Sequence, residues 1–285
     1  MKTHQREGLD HILEQELEYR IIHSLAQLPL DYKEQVAFIR EERKRWVRWR
    51  TAGVLLLLGK YPAPSDWKSR YYLLLNKRSA NIQQPGDLCF PGGHPNRWID
   101  LISSHLVVPH ILPLRKGTAF KTQKKNDRAS FTIIKYFLGN VLREGFEEIR
   151  LNPFKVGYLG ALRCYRLEPF RRVIFPLVGV MKEEVSLRPN WEVDKILRIP
   201  LMSLFNHDNY ARYELKVRGE FKEIFKSDVV SYDCFIHYED GQPDEILWGA
   251  TYKIVMSFLK VVFQFSPPYN NIHPIVRGEL YPDVS

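Results

Sequence analysis

Residues 129 to 150 carry the most constraining pattern in the chain. Ile133, Phe137, Val141, Gly145 and Ile149 recur every four positions, and Ile134, Leu142 and Phe146 widen the stripe. This period is helical, and a stripe so wide has to be covered by another layer. Asp127 or Ser130 can cap the helix start. The other face carries Glu144, Glu147 and Glu148, spaced i, i+3 and i, i+4. Like charges at these spacings repel by roughly 0.2–0.5 kcal/mol per pair. Something must offset that: Arg143, or a hard divalent cation such as Mg²⁺ or Mn²⁺, which prefers carboxylate oxygens.

The covering layer reads as strands. Gly53–Gly59 (GVLLLLG) is an apolar run bounded by glycines, and Tyr71–Leu75 follows after a Pro-containing loop, predicting a hairpin. Asp87–Phe90 is a short third strand running into Pro91-Gly92-Gly93. A Pro-Gly-Gly step forces a turn and lets a ligand approach the backbone closely. Further strands are predicted over 156–162, 173–180, 193–199, 210–217 and 229–237, and a last helix over about 244–263. The mixed order argues for an α+β sandwich.

Ahead of the first strand, residues 7–27 read as one helix, ended by Pro29. A second, with Asp31 as its cap, runs into a basic stretch from Arg40 to Arg50 that includes Trp46 and Trp49. That stretch reads as a solvated helix face with both tryptophans packed inward. Residues 94 to 128 read as an inserted loop with a helical piece near Ile99–Val107; the second half holds six Lys/Arg against one acid. It reads as an excursion from the domain rather than a cover for the cleft.

The chain has 285 residues, 45% hydrophobic and 26% charged, which excludes a disordered or collagen-like polymer. Cys89, Cys164 and Cys234 are widely spaced, so neither a disulfide framework nor a zinc motif is expected, and a reducing compartment fits. The apolar stretch Ile246 to Phe265 is interrupted by Lys253 and Lys260, so it reads as a buried-face helix rather than a membrane span. No secretory signal is expected at the N-terminus. The net charge of +9 predicts attraction to anions. His94 follows the glycine turn, within reach of a cleft, while His237 reads as packing or surface.

Two blocks taken together resemble a known family. LLNKRS followed by GDLCFPGG, and then REGFEE (Arg143–Glu148) on the helix, resemble the Nudix hydrolase signature, G-x5-E-x7-R-E-U-x-E-E-x-G-U with U a bulky aliphatic. The upstream block looks like the extra motif of the coenzyme A pyrophosphatase branch. Gly157–Gly160, Phe175–Val180, Pro189-Asn190 before Glu192-Val193-Asp194, and Leu247–Thr251 continue the resemblance, which covers about residues 50 to 265. It implies a Nudix-type α/β/α sandwich with a mixed sheet. Residues 1–50 would be a helical extension, 51–265 the Nudix domain with an insertion at about 97–128, and 266–285 a C-terminal tail.

The activity implied is metal-dependent hydrolysis of a phosphoanhydride, with Glu144, Glu147 and Glu148 holding Mg²⁺ or Mn²⁺. Arg143 joins that catalytic set by pairing with and fixing the carboxylates. Arg78 and Lys77 would grip substrate phosphates, and Gly92 and Gly93 would let the loop pack on the helix. The substrate implied is a small molecule, coenzyme A or another nucleotide diphosphate derivative; nucleic acid is not expected as the main partner. Two alternatives stay open: a Nudix hydrolase of another nucleoside diphosphate derivative or oxidised nucleotide, and a Nudix-fold binding protein with impaired catalysis. An intracellular, cytoplasmic address is the default, with peroxisome or mitochondrion as family alternatives; oligomeric state is left open.

The chain also departs from the pattern. Ile99 stands where the signature has its first Glu, with Asp100 one residue later as a stand-in. More than forty residues replace the seven-residue spacer. Arg150 stands where a Gly ends the helix, predicting that this terminus closes differently. Gln83 occupies the position of the branch's Arg.

Overall fold

Strand β1 (Arg50–Lys60) lies at the centre of the larger of two sheets. The structure is a computed structural model that describes residues 16–61, 70–102, 117–217, 219, 221–267 and 274–280. β1 pairs antiparallel with β2 (Tyr71–Arg78), Leu57 opposite Leu74, so the expected hairpin is present. On its other side it pairs parallel with β7 (Arg172–Met181), Leu55 opposite Leu177. The path runs β3-β2-β1-β7-β5, with β3 at Leu88–Cys89 and β5 at Val156–Ala161. Three more strands join it: β4 (Gly92–Gly93) on β1, β6 (Tyr165–Leu167) on β7 and β8 (Val193–Pro200) on β2. Parallel and antiparallel neighbours make the sheet mixed, as expected.

The run of leucines in β1 exists because both faces of this strand are covered. Leu55 and Leu57 pack toward helix α5 (Arg128–Ile149), with Phe137 and Val141. Leu56 and Leu58 pack toward helix α7 (Gly249–Phe263), with Val255 and Phe258. All four leucines are fully buried, each contributing roughly 1.5–3 kcal/mol. The result is the α+β arrangement of a sheet between helices.

Asp127 caps α5 by accepting from the Ala129 and Ser130 amides, as the sequence predicts. The other end overturns an expectation. Arg150 itself takes the left-handed conformation, with φ 58°, so the helix closes as it would with glycine. Its amide donates to Phe146 O and that of Leu151 to Gly145 O, both at 3.0 Å. The left-handed region costs a non-glycine residue about 1–2 kcal/mol, of which glycine's chain entropy returns about half. Arg150→Gly is therefore expected to raise the urea midpoint by the equivalent of about 0.5 kcal/mol. A lower midpoint would show that the Arg150 guanidinium over the Phe146 ring, at 5.3 Å, outweighs the strain. Phe146 is 46% exposed and so lies outside the buried stripe.

Several other expectations change. The described part of the first helix, α1, covers 16–27; residues 7–15 lie outside the described residues. Helix α2 (Tyr32–Lys44) is not capped by the Asp31 side chain, which accepts instead from the Cys164 amide and from Gln35. α2 stops before Trp46, which is 94% exposed; only Trp49 packs inward, edge-on to Phe38. Within the insertion, α3 (Arg97–Ile102) and α4 (Thr118–Asn126) are helical, while 103–116 lies outside the described residues. α4 is no excursion: Phe120 is buried edge-on to Phe131 and near Tyr158.

The C-terminal third builds a second sheet, ordered β11-β10-β9-β12. Its strands are β9 (Tyr210–Val217), β10 (Val229–His237), β11 (Glu245–Leu247) and β12 (Ile275–Leu280), and a short helix, α6 (Phe221–Phe225), follows β9. Residues 245–247, expected as helix, pair with β10 because α7 starts only at Gly249. Part of the expected tail is a strand, parallel to β9. Among the described residues no helix is long and apolar enough to cross a membrane.

Candidate active site

The Pro91-Gly92-Gly93 turn holds α5 against the end of the larger sheet. Gly92 has φ +149°, and a Cβ there would meet Gly53 O and the Val54 Cα. A Cβ on Gly93 would lie 2.9–3.0 Å from the Glu144 carboxyl group. The absence of a Cβ at the two glycines lets the turn approach both β1 and the carboxylate helix.

Arg143 organises the carboxylates. Its Nη2 donates to Glu144 Oε1 and its Nη1 to Glu147 Oε2, both at 2.8 Å. Its Nε donates to Asp100 Oδ1 at 2.9 Å and its Nη2 to Asp100 Oδ2 at 3.2 Å. Asp100 is fully buried on α3, where it also accepts from the Asn96 amide and from Asn140 Nδ2. Ile99, in register with the signature Glu, is half exposed; its neighbour Asp100 pairs with Arg143 instead. Burial pulls the Arg143 guanidinium toward the neutral form, but Asp100, Glu144 and Glu147 hold it well above its ordinary value.

Glu148 points elsewhere, deeper under the turn. It accepts from Asn76 Nδ2 at 3.0 Å and from the Gly92 amide. Burial, and then the nearby Glu144, push its carboxyl up to about 8. Glu144 is also raised, first by burial, against the pull of Arg143. Asn76 stands inside LLNKRS, but nothing in the sequence gave it a role. It belongs to the site because it sits two residues before Arg78 on β2, and alternate strand residues share a face.

The same alternation decides Lys77. It points to the opposite face, where its Nζ is 2.9 Å from a carboxylate oxygen of the buried Glu245. It is engaged there, away from the carboxylates. Arg78 takes the other direction, beside Glu148. Its Nε donates to Gln83 O, its charge acts on Glu148, and it lines an adjacent cavity of about 700 Å³. Gly92, Gly93, Cys89 and His94 line that cavity too. His94 Nδ1 is 2.7 Å from Thr51 O. His237 packs in the second sheet, mostly buried, as expected.

Among the described residues, no group of three His, Cys, Asp or Glu side chains is arranged to hold a metal ion. Glu144 and Glu147 are turned onto Arg143, and Glu148 onto Asn76 and Gly92. The donor set nevertheless suits a hard cation. It is all oxygen, two of its carboxylates are lifted by burial, and Asn76 Oδ1, on the amide that bonds Glu148, has no hydrogen-bond partner among the described residues.

The raised Glu148 has a direct consequence for the metal-free protein. Between about 4.5, the ordinary value, and about 8, the folded state holds a proton that the unfolded state has released. Stability therefore falls as pH rises through that window. In EDTA, the difference in melting temperature between wild type and Glu148→Gln is expected to shift in favour of the variant from pH 5 to pH 8.5. A difference that stays flat with pH would rule out a buried, elevated Glu148.

No family model matches the chain. In sequence it is similar to "Nudix hydrolase 22, chloroplastic" of Arabidopsis thaliana, 28% identical over 138 residues, covering 47% of this chain and 42% of that protein. It is also similar to "Nudix hydrolase 15, mitochondrial" of the same plant, 26% identical over 130 residues, covering 45% and 42%. The chain thus matches less than half the length of each relative. Solved structures with a likeness include a MutT/nudix family protein from Enterococcus faecalis, with TM-score 0.40 and 12% identity over 82% of this chain and 72% of that one. Another is a Nudix hydrolase from Alicyclobacillus acidocaldarius, with TM-score 0.36 and 16% identity over 53% and 79%. Over less than half of its length, the chain is thus similar in sequence to plant proteins named as Nudix hydrolases, and it carries a carboxylate helix beneath a Pro-Gly-Gly turn.

Proposed function

We propose that the chain hydrolyses the diphosphate bond of coenzyme A or its derivatives. The products are 4′-phosphopantetheine, or its acyl form, and 3′,5′-ADP. The observation that carries this reading is the junction at Arg78. This residue lines the cavity while its charge acts on Glu148, so a ligand in the cavity meets the carboxylate cluster at its edge. The coenzyme A motif supports the substrate choice, since GDLCFPGG forms β3, the turn and β4 along the cavity wall.

Glu144, Glu147 and Glu148 would hold Mg²⁺ or Mn²⁺. When bound, the cation neutralises diphosphate oxygens and makes a water more acidic. The rest falls to the chain itself. Arg143 keeps the carboxylates aligned, with Asp100 as its buried anchor. Arg78 offers a planar fork to a phosphate. The Gly92 amide fixes Glu148.

The test is mass spectrometry of products after incubation of the pure protein with coenzyme A and Mg²⁺ or Mn²⁺, beside a panel of nucleotides. Metal-dependent 4′-phosphopantetheine and 3′,5′-ADP are expected. Cleavage of another nucleoside diphosphate derivative, without cleavage of coenzyme A, would keep the chemistry and discard the substrate. No turnover of any compound would favour a binding protein.

A further inference from the structure

The cavity beside the turn has a basic rung that nothing in the carboxylate cluster requires. β1 and β7 run parallel with Arg50 directly opposite Arg172. β6 continues the rung with Leu167 opposite Arg172. All three residues line the cavity, as do Ala52, Val54 and Ile174, the next positions on the same strand faces. Like charges opposite one another in a sheet destabilise it. Among the described residues neither Arg50 nor Arg172 has a carboxylate within ion-pair distance. Arg78 approaches from β2, and burial, then Arg50 and Arg78, push the Arg172 guanidinium below its ordinary value.

The other wall has a different character. It comes from the second sheet and the start of α7, and it presents Tyr232 and Trp248, with Tyr165 from β6. The two acids in this cavity are already engaged there. Asp87 accepts from Trp248 Nε1 at 3.0 Å, and Asp233 pairs with Lys253 at 3.2 Å. The aromatic side therefore holds one ion pair and one carboxylate bonded by an indole N–H, while the two opposed guanidiniums of the basic side have no carboxylate partner among the described residues. About 700 Å³ suits a nucleotide-sized ligand.

We infer that Arg50 and Arg172 form a subsite for a phosphate of a nucleotide-like ligand, a phosphate that is held rather than cleaved, with the ligand's ring against the aromatic wall. Two guanidiniums side by side offer more donors than one phosphate needs, and the phosphate removes the repulsion between them. The alternation of the sheet keeps this subsite apart from the carboxylates. Arg50 and Arg172 face α7 with Val54 and Ile174, whereas α5 covers the other face. The metal-binding carboxylates and the subsite would then hold different phosphates of one substrate. That deepens the proposed function and rests on it only for the identity of the substrate.

The test is binding, not turnover. Calorimetry in EDTA compares adenosine, 5′-AMP and 3′,5′-ADP on wild type, Arg50→Gln and Arg172→Gln. On the wild type, at least one of the phosphorylated ligands should bind at least about tenfold more tightly than adenosine, and rising salt should erase that gain. Each variant should lose about tenfold for the phosphorylated ligand and leave adenosine unchanged. Arg172→Lys should lose less than Arg172→Gln, because it keeps the charge. Equal affinity for adenosine and both phosphorylated ligands on wild type would overturn the subsite, as would full retention of the gain in folded variants. Because no metal and no hydrolysis enter this measurement, a failed turnover assay leaves the inference standing, and a failed binding assay leaves the turnover reading standing.

Discussion

Glu148→Gln is expected to lower turnover by at least about 10²–10³-fold while the protein stays folded. The side chain keeps its shape, so the Asn76 and Gly92 contacts can still be made to its carbonyl oxygen. What disappears is the carboxylate that a divalent cation would need. Burial already holds Glu148 near the neutral form, up to about 8, so exchange for a neutral amide does not remove a stabilising charge. Steady-state kinetics on the cleaved diphosphate, with a thermal melt of the same sample, reads both halves. Near-normal turnover would remove Glu148 from the site, and a collapsed melt would make its role one of packing.

Asp100→Ala is expected to cost about 3–5 kcal/mol of stability, read as a fall in the urea midpoint. Asp100 is fully buried and answers four donors: Arg143 twice, the Asn96 amide and Asn140. Its removal leaves the largely buried Arg143 with only the carboxylates on its outer side, Glu144 and the half-exposed Glu147. Asp100→Asn, which keeps the shape but loses the charge, should fall between the two. An unchanged midpoint in Asp100→Ala would mean that Arg143 is anchored from the helix alone.

The parts legible in the sequence were those set by local periodicity. The α5 stripe, the Asp127 cap, the GVLLLLG strand and the REGFEE carboxylates each follow from spacing within one element. The misreadings came where a local rule met a tertiary one. Arg150 looked like a missing C-terminal glycine, yet an arginine took the left-handed conformation. Asp31 looked like a cap, yet the amide of distant Cys164 claimed its oxygen. Residues 245–247 looked like the start of a helix, yet the free edge of β10 recruited them as a strand.

The site divides along the same line. Sequence alone determined that three carboxylates share a helix face beside a glycine turn, because a helix fixes i, i+3 and i, i+4 neighbours. It placed Lys77 and Arg78 together, although a strand sends adjacent residues to opposite faces; only the fold showed which one reaches the cavity. It gave no sign that Arg50 and Arg172 meet, since they are 122 residues apart and joined only by the parallel register of β1 and β7. Nor did it reveal that Asp100 reaches Arg143, or Asn76 reaches Glu148. Those pairings depend on which long-range surfaces pack, and packing is decided by the whole core rather than by any one segment.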